Sequence, residues 1–185
     1  MNISEQKKEL RKLIREKKKQ ISLQEKKELS FPIFGMLEKE EIFLSSKVVL
    51  LYWSMDDEVY TQDFVRKWYK EKTILLPCVE GDDLKLRQYL GDSSMKAGEQ
   101  FGILEPIGKE FSQTEQIDIM VIPGVAFDKQ KNRMGRGRGF YDRLLKTVPA
   151  TKIGICFDFQ VVDNVPVEDF DVKMDLVIST SEIYK

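Results

Sequence analysis

Between Pro123 and Leu144 the chain reads PGVAFDKQKNRMGRGRGFYDRL. Gly135, Gly137 and Gly139 alternate with Arg136 and Arg138 behind Arg133 and Met134, and they lead into Phe140-Tyr141-Asp142. Glycines let the backbone come close to a ligand, and successive exposed N–H groups form a concavity that takes an anion. Arginine adds a planar cation that fits phosphate oxygens. An aspartate at the end of such a loop is a hard oxygen ligand of the kind Mg²⁺ accepts beside substrate phosphates. These residue types in this order point to a nucleotide-phosphate loop with a metal ligand at its end. The spacing is neither the GxGxxG of dinucleotide folds nor the GxxxxGK[ST] of P-loop enzymes. A flexible, solvated basic loop is the alternative reading of the same composition.

The elements around the loop favour a binding site. An apolar run from Ile117 to Ile122 predicts a strand before it, and Phe140 to Lys146 predicts a helix after it. Strand–loop–helix is the setting in which open α/β sheets bind ligands. The 185-residue chain contains no histidine. Serine–histidine and cysteine–histidine catalysis are thereby excluded, as are histidine-dependent zinc sites. Chemistry driven by positioning and electrostatics, such as phosphoryl transfer, fits that restriction.

Further along the chain, Ser4 to Leu29 predicts one long helix with Ser4 as its N-cap, and Phe31 to Glu41 a second. Leu10, Leu13, Ile14 and Ile21 form the apolar stripe of the first helix, and Lys7, Arg11 and Arg15 align on another face. Val48 to Trp53 and Thr73 to Cys78 read as strands buried on both faces, with a helix from Thr61 to Lys70 between them. Leu84 to Leu90 reads as an antiparallel addition, and Gly91 to Gln116 as a long turn-rich connection bordering a site. Lys152 to Cys156 and Leu176 to Ser179 supply two more strands. Alternating strand and helix patterns imply a single α/β domain over residues 1–185. It is expected to have a mainly parallel sheet flanked by helices in a Rossmann-like three-layer arrangement.

The net charge of −1 gives no global field toward nucleic acid or membrane, although residues 1–29 hold ten basic against five acidic side chains. No run is long enough to span a bilayer, and the charged amino-terminus lacks the pattern of a secretory signal. Cys78 and Cys156 sit in apolar segments as reduced thiols would, so a cytoplasmic location is expected.

Four elements of the sequence together resemble the 5-formyltetrahydrofolate cyclo-ligase (methenyltetrahydrofolate synthetase) family. PGVAFD followed by RMGRGRGFYDRLL is similar to its Pro-Gly-x-x-Phe-Asp and Arg-x-Gly-x-Gly-x-Gly-Tyr-Tyr-Asp pattern. Lys7-Lys8-Glu9-Leu10-Arg11 matches its Lys-x-x-Leu-Arg element, and Glu58 after Trp53 lies where it carries a post-strand glutamate. Pro166-Val167-Glu168 and Asp171 through Asp175 match its closing pattern.

The resemblance implies an enzyme that closes the formyl group of 5-formyltetrahydrofolate onto N10 at the expense of ATP, with Mg²⁺ as cofactor. It implies ATP contacts from Lys7, Lys8, Glu9, Leu10 and Arg11 and from Arg133, Met134, Gly135, Arg136, Gly137, Arg138, Gly139, Phe140 and Tyr141. It implies folate contacts from Trp53, Glu58 and the stretch 136–140, and metal ligation by Asp142 and Asp175. Arg136, Arg138 and Tyr141 are the expected catalytic side chains. The expected partners are the reduced folate and ATP, with no nucleic acid, no membrane and a monomeric chain. Phe140 departs from the family's first tyrosine, Phe170 from a frequent histidine and Trp53 from an aliphatic residue. An RNA-binding module using the arginine–glycine loop, and a related α/β enzyme acting on a phosphosugar or coenzyme A ester, are the competing readings.

Overall fold

The computed structural model describes every residue except Met1, Glu99 and Phe101, so part of the expected 91–116 connection lies outside the described residues. The chain opens with helices α1 (Ile3–Lys19), α2 (Leu23–Leu37) and α3 (Glu41–Ser45). Strand β1 (Val48–Leu50) and helix α4 (Gln62–Trp68) follow, then strands β2 (Thr73–Glu80), β3 (Asp83–Gln88), β4 (Met95–Ala97) and β5 (Leu104–Pro106). Next come β6 (Ile119–Pro123), β7 (Ala126–Asp128), β8 (Arg133–Met134) and helix α5 (Phe140–Thr147). Strands β9 (Thr151–Ile155), β10 (Val161–Val162), β11 (Leu176–Ile178) and β12 (Ile183–Tyr184) complete the chain.

The main sheet has the order β12-β11-β9-β6-β1-β2-β3. Its five inner strands run parallel, and β12 and β3 close the two edges antiparallel to β11 and β2. Alternation along β1 shows why the strands are apolar throughout. Val49 clusters with Ile33 and Leu37 of α2, Phe43 of α3 and Phe64 of α4, whereas Leu50 clusters with Leu145 of α5 on the opposite face. Both faces are thus covered, as parallel sheets require. Gly154 in β9 leaves room for the Phe127 ring, which a Cβ there would strike. Cys78 and Cys156 are free and buried, and burial pushes the Cys78 thiol up to about 11.

The amino-terminal helices differ from the expected pair. Asn2 rather than Ser4 caps α1, and its side chain accepts from Glu5 N–H while Glu5 returns a bond to the cap. The expected single helix to Leu29 breaks after Lys19. Ser22 caps a new helix by a reciprocal bond with Glu25, and α2 then runs through Pro32 to Leu37. A side chain that satisfies an orphan N–H at a new start favours two helices over one.

At one end of the sheet β10, β7 and β8 form a small second sheet, with β7 parallel to β10 and antiparallel to β8. Buried Asp128 organises its turn, accepting from the backbone N–H groups of Gln130, Asn132 and Val165. Ile14 of α1 packs there with Val125, Ala126, Met134 and Val165. No helix among the described residues is long and apolar enough to cross a membrane.

Candidate active site

The carboxyl ends of β1, β2 and β6 open into a cavity of about 290 Å³. Its walls come from Tyr52 and Trp53 beyond β1, Pro77 and Val79 of β2, Leu84 of β3, and the 135–142 loop and helix start. Ligands bind where strand ends diverge in such sheets. The cavity has an apolar, aromatic side and a cationic side.

Each side is held by short-range structure. Beyond Trp53 the chain turns sharply, with Glu58 N–H donating to Met55 O and Met55 N–H donating to Glu58 Oε2 at 3.0 Å. Ser54 N–H donates to Thr61 Oγ1, and Ser54 Oγ donates to Gln62 Oε1, so the turn is braced against the start of α4. This folds the Glu58 carboxylate back into the cavity, where its side chain is only 9% exposed. Burial raises the Glu58 pKa, although nearby Arg136 works against the shift. Trp53 forms a wall backed by Tyr89 at 5.8 Å between ring centroids and by the Arg66 guanidinium.

In the glycine–arginine loop, Gly137 has φ 100° and Gly139 has φ 71°. That is backbone an L side chain adopts only with strain, which is the physical reason for glycine at both positions. Gly139 also stands at the start of α5, whose first turn lies over the cavity with Phe140, Tyr141 and Asp142 in the wall.

The arginines divide by environment. Arg133 is buried, and its Nε donates to Pro123 O at 2.9 Å and Nη1 to Asp142 Oδ1 at 2.9 Å. Its guanidinium also lies 5.4 Å from the Tyr141 ring centroid. Arg133 therefore fixes the loop to β6 and to α5 instead of standing open to an anion. Arg136 is exposed, and its Nη2 donates to Asp57 at 2.6 Å and to Glu58 at 3.1 Å. Arg138 is exposed on the same wall, and its carbonyl accepts from Arg143. Burial lifts the pKa of Tyr141, so its phenol stays protonated.

Helix α1 meets this loop through Arg11, whose Nε donates to Gly135 O at 3.0 Å and whose guanidinium lies against Gly137. Of the Lys7–Arg11 run, Lys8 and Glu9 are exposed and bond to nothing in the loop, and Leu10 packs half-buried on the small sheet. Lys7 donates to Glu168 at 2.7 Å and to Asp171 at 2.6 Å. Burial works against its charge, but these bonds outweigh burial and raise its pKa. Phe170 receives both Lys7 and Lys146 against its ring, so the position with no histidine joins α1 to α5. Met134 is buried beside Ile14 and does not line the cavity.

Asp142 and Asp175 are not brought together, contrary to the expectation of a shared metal. Asp142 lines the cavity at the level of Pro123, the last residue of β6. Asp175 precedes β11 and accepts from Lys152 N–H at 2.7 Å, level with Met120 near the start of β6. Three residues of strand, about 10 Å, separate the two levels. Asp175 instead ties two strand starts together. Among the described residues, no group of three or more acidic, cysteine or histidine side chains is placed to hold a metal. Asp142 commits Oδ1 to Arg133, which leaves a second oxygen. A single carboxylate beside bound phosphates suits Mg²⁺, which keeps several waters.

Sequence reasoning assigned no role to Tyr52, Lys18, the Ser54–Thr61–Gln62 brace or Asp57, which it noted only within the acidic cluster 56–58. Asp57 and Lys18 had no local signal, because each acquires its role from a partner far along the chain.

A family model described as the 5-formyltetrahydrofolate cyclo-ligase family matches residues 3–180. A Haemophilus influenzae protein named 5-formyltetrahydrofolate cyclo-ligase is 36% identical over 141 residues, covering 70% of this chain and 73% of its own. The NMR structure of Aquifex aeolicus 5,10-methenyltetrahydrofolate synthetase superposes with a TM-score of 0.87 at 34% identity, covering 97% of this chain and 92% of that one. A Mycoplasma pneumoniae 5,10-methenyltetrahydrofolate synthetase follows with a TM-score of 0.72 at 28% identity, covering 93% and 97%. The match spans nearly the whole chain, and its glycine–arginine motif forms the wall of the cavity at the strand ends. This protein therefore belongs to the 5-formyltetrahydrofolate cyclo-ligase family of ligases.

Proposed function

We propose that residues 1–185 form one cyclo-ligase domain that converts 5-formyltetrahydrofolate to 5,10-methenyltetrahydrofolate. One ATP is consumed in each turnover, and ADP and phosphate are released. The observation that carries this reading is a cavity with two unlike ends. Trp53, Pro77, Val79, Leu84 and Phe140 offer flat apolar walls for a pterin, and Gly135 to Gly139 with Arg136 and Arg138 offer an anion cradle beside it.

A formyl oxygen on nitrogen is a poor leaving group, so ring closure needs it activated. The formyl oxygen attacks the γ-phosphorus, forming an O–P bond as the bond to ADP breaks. The lone pair of N10 then bonds to the formyl carbon. The C–O bond breaks, phosphate leaves with its electron pair, and N10 loses its proton. No protein nucleophile is required, consistent with a chain that lacks histidine. Arg136 and Arg138 hold the transferring phosphoryl group and its developing charge, and Arg11 fixes the loop from α1. Glu58 accepts from pterin N–H groups, and Trp53 and Phe140 hold the ring faces. Asp142 is the carboxylate for Mg²⁺, which when bound neutralises phosphate charge. The protein acts as a monomer in the cytoplasm.

The test is an absorbance assay for the methenyl product using purified, folded protein. Product is expected only when ATP and a divalent metal are both present. No chromophore under those conditions, or chromophore formed without ATP, overturns the proposal.

A further inference from the structure

Helix α1 presents an unusual inner face. Lys7, Leu10, Arg11, Ile14 and Lys18 are buried or half-buried at helical spacing, so three of these five positions are cationic. Lys7 has its two carboxylates and Arg11 its carbonyl. Lys18 has less. Its side chain is only 7% exposed, and its ammonium reaches a single carboxylate oxygen, Asp57 Oδ2, at 3.4 Å. Burying a cation for so little direct bonding is unfavourable unless the charge is used electrostatically.

The surrounding geometry indicates the use. Asp57 is shared, with Oδ2 toward Lys18 and Oδ1 accepting from Arg136 Nη2 at 2.6 Å. Glu58 accepts from the same Nη2 at 3.1 Å. Two cations and two carboxylates thus form a line from α1 to the cavity, and their formal charges cancel. Arg136 uses one nitrogen for both carboxylates, and no bond from its Nε or Nη1 occurs among the described residues. Arg136 can offer those two nitrogens to a phosphate, but it turns fully toward one only by loosening its hold on Asp57, and the phosphate must approach two carboxylates.

We propose that Lys18 is a positioning residue for the phosphate end of the site, balancing the charge of Asp57 so that Arg136 can turn to the incoming nucleotide. This rests on the reading above in which Arg136 takes phosphate. Without Lys18, Asp57 and Glu58 would hold Arg136 more firmly and leave the phosphate site with an extra negative charge. The effect belongs to ATP, because Lys18 acts through Asp57, which holds Arg136 and does not itself line the cavity.

The experiment compares Lys18→Met, Lys18→Arg, Asp57→Asn, the double variant Lys18→Met/Asp57→Asn and Arg136→Ala by ATP dissociation constant and by KM for each substrate. Folding of each is checked by circular dichroism. Lys18→Met is expected to weaken ATP binding roughly five- to tenfold, the scale of one partly buried charge contact. KM for the folate should stay within about twofold. Lys18→Arg should recover ATP affinity. Asp57→Asn in the Lys18→Met background should also recover it, because the unbalanced carboxylate is gone. A purely structural ion pair would also be rescued by removing both partners, so the melting temperature of each variant is read beside its ATP affinity, and an ATP loss that only tracks lost stability overturns the inference. Unchanged ATP affinity in Lys18→Met, or a loss that Asp57→Asn fails to restore, overturns the inference provided Arg136→Ala itself loses ATP. If Arg136→Ala keeps wild-type ATP affinity, the phosphate reading fails and takes this inference with it. Should Lys18→Met not fold, Asp57→Asn alone decides. It should bind ATP at least as tightly as wild type, and weaker binding overturns the proposal.

Discussion

Glu58 is where the electrostatics and the proposed chemistry meet most directly. Burial raises its pKa above the ordinary value of 4.5, with Arg136 opposing the shift. A carboxyl whose folded pKa is raised contributes stability below its unfolded pKa, and that stability is lost as pH rises through the folded value. Holding Glu58 ionised is therefore a cost to the fold, and removing that charge relieves it. Glu58→Gln is expected to unfold at a temperature no lower than wild type at pH 7. The difference should shrink as pH falls toward 4.5. The same variant should bind the reduced folate more weakly while ATP binding changes less. Thermal melts across that pH range, with titrations of both ligands, check this. A variant clearly less stable at pH 7 would show that the Met55 and Arg136 bonds outweigh the burial cost.

At the level of elements, the break between α1 and α2 matters because it lets α1 leave the helical layer and reach the glycine loop. Ser22 and Glu25 define that break through their reciprocal bonds. Ser22→Ala should cost about 1 kcal/mol, the usual worth of an N-cap, which lowers the melting temperature by roughly 2–4 °C. Turnover should be unchanged, because α1 is held independently by Arg11 on Gly135 O and Lys7 on Glu168 and Asp171. A large loss of activity with little loss of stability would mean that the α1–α2 corner itself orders the site.

For the whole molecule, the proposed nucleotide contacts join parts distant in sequence: α1, the turn after β1, and the loop before α5. A ligand that bridges them should stabilise the native state by mass action. ATP with a divalent metal at one hundred times its dissociation constant should add about 2.7 kcal/mol. That corresponds to roughly 5–11 °C in melting temperature for a chain of this size. Arg136→Ala, assayed at the same ATP concentration, should show a clearly smaller shift. An equal shift in both proteins would place the nucleotide elsewhere.

The strands were legible from local patterning. Val48 to Trp53, Thr73 to Cys78, Ile117 to Ile122 and Leu176 to Ser179 are apolar runs too short for helices, and each contributes to the parallel sheet. The glycine–arginine loop was legible too, because positive φ at Gly137 and Gly139 is a backbone demand that residue type alone answers. The helix break was missed in favour of one helix to Leu29, although Ser22 and Glu25 carry the capping pattern that marks it. The sequence did not reveal which charged side chains are structural and which face the cavity. Periodicity assigned Leu13 to the apolar stripe of α1, yet Leu13 is 51% exposed, while Lys7 and Lys18 are buried. Arg133 and Arg136 look equivalent in the motif, but one is packed against Pro123 and Asp142 and the other is held at the cavity by Asp57 and Glu58. The family resemblance pairs Asp142 with Asp175, but the fold puts Asp142 in the first turn of α5 at the cavity and Asp175 beside Lys152 ahead of β11. Apolar burial follows from a residue's own side chain and its helical or strand period. Burial of a charge depends on a counter-charge, which here lies 39 residues away for Lys18 and 161 for Lys7, and only the tertiary fold brings such partners together.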